Sequence, residues 1–158
     1  ADDSDTQLTT FVSHLLALRR QHPVLNHCNY IHQPRHPGDV EIRWLNGDGQ
    51  AMREEHWQEH HNYLLGYLLS IPGVNNAGDK SAGEKSAADS RDLLVIFNNA
   101  PGQRQFQLPP LEEGQEGQEW RWLVNTAEET GIPGSSLVPD DRLLDLAEQS
   151  VAILCCGK

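Results

Sequence analysis

The most informative segment of the chain reads Leu16-Ala17-Leu18-Arg19-Arg20-Gln21-His22-Pro23-Val24, and it marks the end of a helix. Arg19 and Arg20 stand where the C-terminal end of a helix dipole favours cations. Pro23 stops the helix, because a proline disfavours helical geometry in the residue before it. Toward the N-terminus, Asp5 is a suitable N-cap, and helical spacing relates the apolar residues Leu8, Phe11, Val12, Leu15, Leu16 and Leu18. The sequence therefore predicts one amphipathic helix, which needs a surface to cover.

The part of the chain after this helix is patterned as short β-strands. Val40, Ile42 and Trp44 alternate with Glu41 and Arg43, which is the period-two pattern of a half-buried strand. Residues 46–49 then offer the positive φ angles of a tight turn. We predict a short helix over residues 52–61, a strand buried on both faces over 63–70, and further strands over 93–97, 103–108, 120–124 and 151–155.

Two polar stretches interrupt the strand pattern. Residues 30–38 contain two prolines and a glycine, so we predict a loop there. Residues 72–91 are rich in glycine, serine, alanine and charged residues without apolar periodicity, which predicts a mobile loop within one sheet system. Short strands separated by turn signals, with no crossover helices, are typical of an antiparallel β-sandwich.

Length and charge exclude several classes of protein. The chain has 158 residues, which suits one domain with an appended element, whereas a complete (β/α)8 barrel needs about 250 residues. The formal net charge of −11 would repel nucleic acid and anionic membrane surfaces, so we expect neither as a partner. The sequence contains neither an apolar run of about 20 residues nor a signal peptide at its start, which predicts a soluble protein.

The three cysteines are unsuited to a disulfide framework. Cys28 stands alone, and Cys155 and Cys156 are adjacent in sequence. A disulfide between neighbouring residues needs a strained backbone, and an odd number of thiols suits a reducing compartment. We therefore predict a cytoplasmic protein.

The sharpest local motif is His56-Trp57-Gln58-Glu59-His60, which satisfies the H-x-x-E-H pattern of inverted zinc peptidases. On a helix, His56 and His60 would share one face and bind one metal ion, with Glu59 as the base. The motif also needs a downstream acidic ligand on a second helix, whereas the chain continues directly into an apolar strand. We favour a solvated polar turn, predict no metal or cofactor, and keep a zinc peptidase as a remote alternative.

Adjacent carboxylates occur at residues 112–113, 128–129 and 140–141. Glycoside hydrolysis requires two carboxyl groups roughly 5 to 10 Å apart across a cleft, one of them with a perturbed pKa, and neighbours in polar turns meet neither condition. The chain also contains neither a phosphate-binding glycine loop nor a nucleophile elbow. We therefore predict solvated loop charge at these pairs and no catalytic residue in this chain.

Aromatic side chains are the candidates for sugar stacking, because a flat ring suits the apolar face of a pyranose. Trp120 and Trp122 share one strand face with Val124. Facing inward the two rings would be core, which is the favoured interpretation, and facing outward they would form a sugar-binding platform. Further rings are supplied by Trp44, Trp57, Tyr30, Tyr63 and Tyr67.

In their order, these segments resemble the C-terminal region of the bacterial isoamylase-type glycogen-debranching enzymes of glycoside hydrolase family 13. The resemblance is carried by the segment at 18–24, DVEIRW at 39–44, DGQAM at 48–52, EHW at 55–57 and the apolar run at 63–70. It covers nearly the whole chain, is tightest over 18–24 and 48–57, and is looser after Ile71.

The resemblance implies that residues 1–25 are the last helix of a truncated (β/α)8 barrel and that residues 26–158 form a C-terminal β-sandwich. Enzymes of the family hydrolyse α-1,6-glucosidic branch points of glycogen or limit dextrins, with an Asp nucleophile and a Glu acid/base on barrel strands. Neither residue has a counterpart here, so the resemblance implies a part that is inactive alone and supports the catalytic barrel of the same polypeptide. Trp120 and Trp122 are its candidates for α-glucan contact, and a stand-alone carbohydrate-binding module is the alternative.

Overall fold

The computed structural model describes residues 3–26, 39–71, 92–111, 118–136 and 138–157. In these ranges the protein is a helix followed by an antiparallel β-sandwich, so the predicted mainly β fold is confirmed. The loops predicted over 30–38 and 72–91 lie outside the described residues, as does Cys28.

The N-terminal helix ends where the sequence predicts. Helix α1 spans Asp3–Gln21, and a 3-10 helix at Pro23–Leu25 follows it directly. The backbone N–H of His22 donates to the carbonyl oxygen of Leu18 at 3.0 Å and closes the last turn before the proline. Among the described helices, none combines the length and the apolar character that crossing a membrane requires.

Helix α1 docks on the sandwich through one face. The His14 Nε2 atom lies 2.9 Å from the carbonyl oxygen of Leu123 and donates to it. The Phe11 ring sits against Gly131, where an added Cβ atom would come within 2.4 Å of the ring. Leu18, one turn beyond His14, is buried. The face with Phe11, His14 and Leu18 is therefore the one that faces the sandwich.

The strands form two antiparallel sheets. The strands are β1 (Glu41–Leu45), β2 (Leu64–Ser70), β3 (Leu93–Asn98), β4 (Arg104–Gln107), β5 (Glu119–Asn125), β6 (Leu143–Leu146) and β7 (Ser150–Gly157). The larger sheet has the order β1-β2-β3-β7-β5 and the smaller one pairs β4 with β6. A short helix, α2 (Glu54–Gln58), connects β1 to β2 and is shorter than the predicted helix over 52–61.

The inner core lies between the two sheets. Phe106 of β4 is 0% exposed, and its ring packs on Gly66 of β2, where an added Cβ atom would lie 2.9 Å from the ring. Glycine at this position lets the two sheets approach closely. The other buried members of this cluster are Leu45, Leu68, Leu94, Ile96, Leu108, Trp120, Leu144, Leu146, Ala152, Leu154 and Cys156.

Strand β6 was not predicted from the sequence. It is four residues long, and only Leu144 and Leu146 point into the inner core. The buried Asn98 side chain holds its end, because Nδ2 donates to the carbonyl oxygens of Leu146 at 3.3 Å and Ala147 at 2.7 Å. Residues distant in sequence, on β4 and at Asn98, therefore define strand β6, and local periodicity does not predict it.

A second apolar cluster covers part of the opposite, outer face of the larger sheet. Val24 of the 3-10 helix is buried there, so the N-terminal segment shields this region. Strand β3 is buried without interruption from Leu93 to Ile96, because its alternating side chains enter both clusters. In β2, Leu68 and Leu69 are buried on opposite faces while Tyr67 is half-buried, so the predicted two-sided burial holds for part of that strand. The buried outer residues are Val24, Val40, Leu69, Leu93 and Val95.

The turn predicted at residues 46–49 depends on Gly49. Its N–H donates to the carbonyl oxygen of Asn46 at 3.0 Å, and its φ is +70°, in the left-handed region. A Cβ atom at Gly49 would lie 2.3 Å from the backbone oxygen of Gln107. The same turn holds β4 in place, since the N–H of Gln107 donates to the carbonyl oxygen of Gly47 at 2.9 Å.

We expect Gly49→Ala to lower the free energy of unfolding by about 2 to 5 kcal/mol, because left-handed strain adds to a displacement of β4. Urea denaturation followed by circular dichroism measures the effect. Gly102→Ala is the matched control, since no atom lies within 4 Å of its added Cβ, and its midpoint should stay close to that of the wild type. Equal midpoints for the two variants would contradict this account of the turn.

Candidate functional site

The two tryptophans singled out by the sequence lie on β5. Trp120 is 6% exposed and belongs to the inner core, and Trp122 is half-buried against the same cluster. Trp122 pairs with Leu154 of β7. A β-bulge follows, and it pairs Val124 with Ile153. The side chain of Ile153 packs on the outer face. The bulge therefore separates Val124 from the face of the two tryptophans. The burial of Trp120 agrees with the core interpretation, and glucan contact by Trp120 and Trp122 stays a prediction.

A cleft of about 330 Å³ adjoins Trp120. Its lining includes the exposed charged residues Glu119, Asp140 and Arg142. The indole Nε1 atom of Trp120 is buried without a hydrogen-bond partner, and so it does not reach the open space of the cleft. The cleft is therefore a surface depression with both charged and apolar lining residues, the latter including Leu111 and Val138, beside a core residue.

The paired carboxylates have structural contacts in exposed turns. Glu129 Oε1 accepts a hydrogen bond from Gln7 Nε2 of α1 at 2.8 Å. Asp141 Oδ1 accepts one from the backbone N–H of Leu143 at 3.0 Å, at the start of β6. The pair at 112–113 lies outside the described residues. The two described pairs thus contribute to helix docking and strand initiation.

The H-x-x-E-H motif does not form one helical face. Helix α2 ends at Gln58, and Glu59 is extended with φ −72° and ψ 116°, so His60 lies beyond the helix. His56 Nδ1 accepts a hydrogen bond from the backbone N–H of Arg53 at 3.1 Å as part of the helix cap. Within the ranges that the structure covers, no three His, Cys, Asp or Glu side chains are grouped to hold a metal ion.

The adjacent cysteines are both buried in β7. Neighbouring residues of a strand point to opposite faces of the sheet, so Cys155 and Cys156 face away from each other. The Cys156 thiol donates to Gln118 Oε1 at 3.3 Å. Burial and, to a smaller extent, the negative charges of Asp92 and Cys155 together raise the pKa of Cys156 to about 12. Cys156 is therefore an inert core thiol.

Four rings form a continuous group on the outer face, which we call the aromatic row: Trp57, Trp44, Tyr67 and Phe97. The ring centroids of Trp44 lie 5.7 Å from Trp57 and 5.5 Å from Tyr67, and Tyr67 lies 6.0 Å from Phe97. Trp57 is 53% exposed, Trp44 39% and Phe97 37%. Sequence reasoning named the first three by residue type and missed Phe97, because it sits in an uninterrupted apolar run that signals burial.

These features define an antiparallel β-sandwich domain with one docked helix. Residues 41–150 match the family model described as "Isoamylase, C-terminal", and the chain belongs to this family. The resemblance to the C-terminal region of isoamylase-type enzymes, inferred from the sequence, is confirmed.

Among solved structures, the chain is similar to trehalose-6-phosphate hydrolase from Bacillus licheniformis, with 18% identity and a TM-score of 0.45 over 92% of this chain and 17% of that one. A mutant of the same enzyme in a complex gives 18% identity, the same coverage and a TM-score of 0.44. The chain thus spans 17% of the length of these structures. No curated protein matches it in sequence.

We expect Trp120→Ala to destabilise the fold by about 3 to 5 kcal/mol, because it removes a large buried ring. Trp57→Ala should cost about 1 kcal/mol or less, since half of that side chain is already in water. Urea denaturation compares both variants with the wild type. A Trp120→Ala midpoint equal to that of the wild type would contradict the burial of this ring and favour a surface platform on β5.

The raised pKa of Cys156 predicts slow alkylation. The thiolate is the reactive species, so the folded chain at pH 8 should react with iodoacetamide at Cys156 at least roughly tenfold more slowly than the unfolded chain. Peptide mass mapping measures the labelling of Cys156, and equal rates in both states would contradict its assignment as a buried thiol.

The raised pKa of Cys156 also links stability to pH. Because the folded pKa exceeds the ordinary value of 9.0, this thiol stabilises the fold below pH 9 and loses that contribution as pH rises toward 12.

Proposed function

We propose that this chain is the C-terminal, non-catalytic region of a glycogen-debranching glycoside hydrolase that cleaves α-1,6-glucosidic branch points. The observation that carries the proposal is the family match over residues 41–150. Of the ordered segments quoted above, the one at residues 18–24 lies outside the matched range and extends the resemblance toward the N-terminus. In this proposal the catalytic Asp and Glu belong to a (β/α)8 barrel of the same polypeptide, upstream of this chain.

Residues 1–25 are then the last helix of the barrel, and residues 26–158 are the sandwich that follows. The surface of α1 supports this division. Its sheet-facing side is covered, while Leu8, Val12 and Leu16 remain 62%, 44% and 47% exposed. These residues are spaced four apart and so form one stripe, which we call the helix stripe. An apolar helical stripe of this kind is normally buried, and the barrel is the partner that we assign to it.

The proposal also places the enzyme in the cytoplasm. Support comes from the cysteines: Cys155 and Cys156 point to opposite faces of β7, which prevents a disulfide between them. The thiol of Cys156 is retained as a hydrogen-bond donor in the core. Thiols of this kind suit a reducing compartment.

The proposal is tested on the native polypeptide, isolated from its source cell with an antibody against this chain. Intact mass and peptide mapping should find sequence upstream of residue 1, and the polypeptide should release short malto-oligosaccharides from a glycogen limit dextrin. The isolated 158-residue chain should release none. A native polypeptide of these residues alone would overturn the proposal and favour the second candidate, a stand-alone carbohydrate-binding module, which the exposed aromatic rings support.

The helix stripe gives a sharper prediction. In the native polypeptide, Leu16→Glu should lower stability by about 1 to 3 kcal/mol, because it buries a charge against the barrel. In the isolated chain the same change should stay within about 0.5 kcal/mol, because the side chain is exposed there. Thermal unfolding of both forms measures the difference, and Ser13→Glu on an exposed position of α1 is the control. Equal effects of Leu16→Glu in both forms would contradict barrel contact through the stripe.

A further inference from the structure

The aromatic row is held rigidly by backbone pairing. Trp44 of β1 and Tyr67 of β2 are direct partners in the strand register, and Phe97 lies on the next strand, β3. Helix α2 brings Trp57 against Trp44 in an edge-to-face contact with an interplanar angle of 75°. Cross-strand ring pairs of this kind stabilise the sheet and fix the rings before any ligand arrives.

The outer face of the larger sheet is divided by residue type. Its aliphatic part, which includes Leu69, Leu93 and Val95, is buried under the N-terminal segment. Its aromatic part, the aromatic row, is in contact with water, and three of its four rings are exposed by more than a third. Trp and Tyr side chains combine a flat apolar face, which suits the apolar face of a pyranose, with a polar N–H or O–H group.

The charge of the surface also constrains its ligand. The row contains no ionised side chain, and burial raises the pKa of Tyr67, so its hydroxyl remains protonated at neutral pH. The chain as a whole carries a formal net charge of −11, which repels acidic ligands. A neutral ligand with apolar faces and a hydroxyl rim matches both properties.

We propose that the aromatic row binds α-glucan, with pyranose faces stacked on the rings of Trp57 and Trp44. The flat exposed rings and the absence of an ionised side chain among them support a carbohydrate, and the α-linked glucose chain rests on the proposed function. The site is distinct from Trp120, whose ring is in the core. It would hold a branch or an outer chain of the polymer beside the enzyme without taking part in bond cleavage.

The test is a titration of the 158-residue chain with maltoheptaose, followed by tryptophan fluorescence and calorimetry, together with electrophoresis through gels containing glycogen. We expect binding by the wild type and roughly tenfold weaker binding by Trp57→Ala, the loss that one stacking contact produces. Trp57→Phe retains a ring and should bind more tightly than Trp57→Ala. Leu16→Ala, an exposed residue of the helix stripe, is the matched control and should bind like the wild type. Circular dichroism verifies that each variant is folded.

Two results would overturn the inference. One is a wild-type chain that neither responds to maltoheptaose nor slows in glycogen gels. The other is Trp57→Ala and Trp44→Ala binding as the wild type does. Equal affinity for cellohexaose would overturn the α-glucan assignment. If the native polypeptide contains the barrel and debranches glycogen but the 158-residue chain does not bind maltoheptaose, only this inference fails. If the chain binds maltoheptaose but the native polypeptide contains no barrel, only the proposed function fails.

Discussion

The central strands of the larger sheet must be covered on both faces, and the rest of the molecule follows from that requirement. Strand β3 is buried from Leu93 to Ile96 and pairs with β2 and β7 on its two sides. The smaller sheet covers the inner face, and this requires the close approach of Phe106 to Gly66. On the outer face the cover is the N-terminal segment, which buries Val24 against the sheet. Removing either cover would expose a continuous apolar strand.

This arrangement leaves two apolar surfaces at the exterior, and they differ in kind. The helix stripe is aliphatic and lies on an element that already uses its other face for the sheet. The aromatic row is built across three strands and α2. An aliphatic stripe has its natural partner in another protein surface, whereas rings with polar edges suit a sugar. The proposed barrel contact and the proposed glucan contact therefore occupy different surfaces of one domain.

Much of the fold could be read in advance where the signal is local. The helix ending at Pro23, the alternation in β1 and the turn at Gly49 all depend on residues close together in the chain. Local signals were wrong where tertiary context prevailed. Helix α2 ends at Gln58 and is shorter than the predicted helix over 52–61, and the β-bulge in β5 moves Val124 off the tryptophan face.

The sequence by itself determined the class of the domain, the family resemblance and the amphipathic helix, because periodicity and turn chemistry act over a few residues. Only the tertiary structure decided that Trp120 is core, that β6 exists and that Phe97 joins the exposed rings. Periodicity separates the two faces of a strand but does not say which of them another element will cover. Strand register and helix docking decide that, because they set which side chains lose their contact with water.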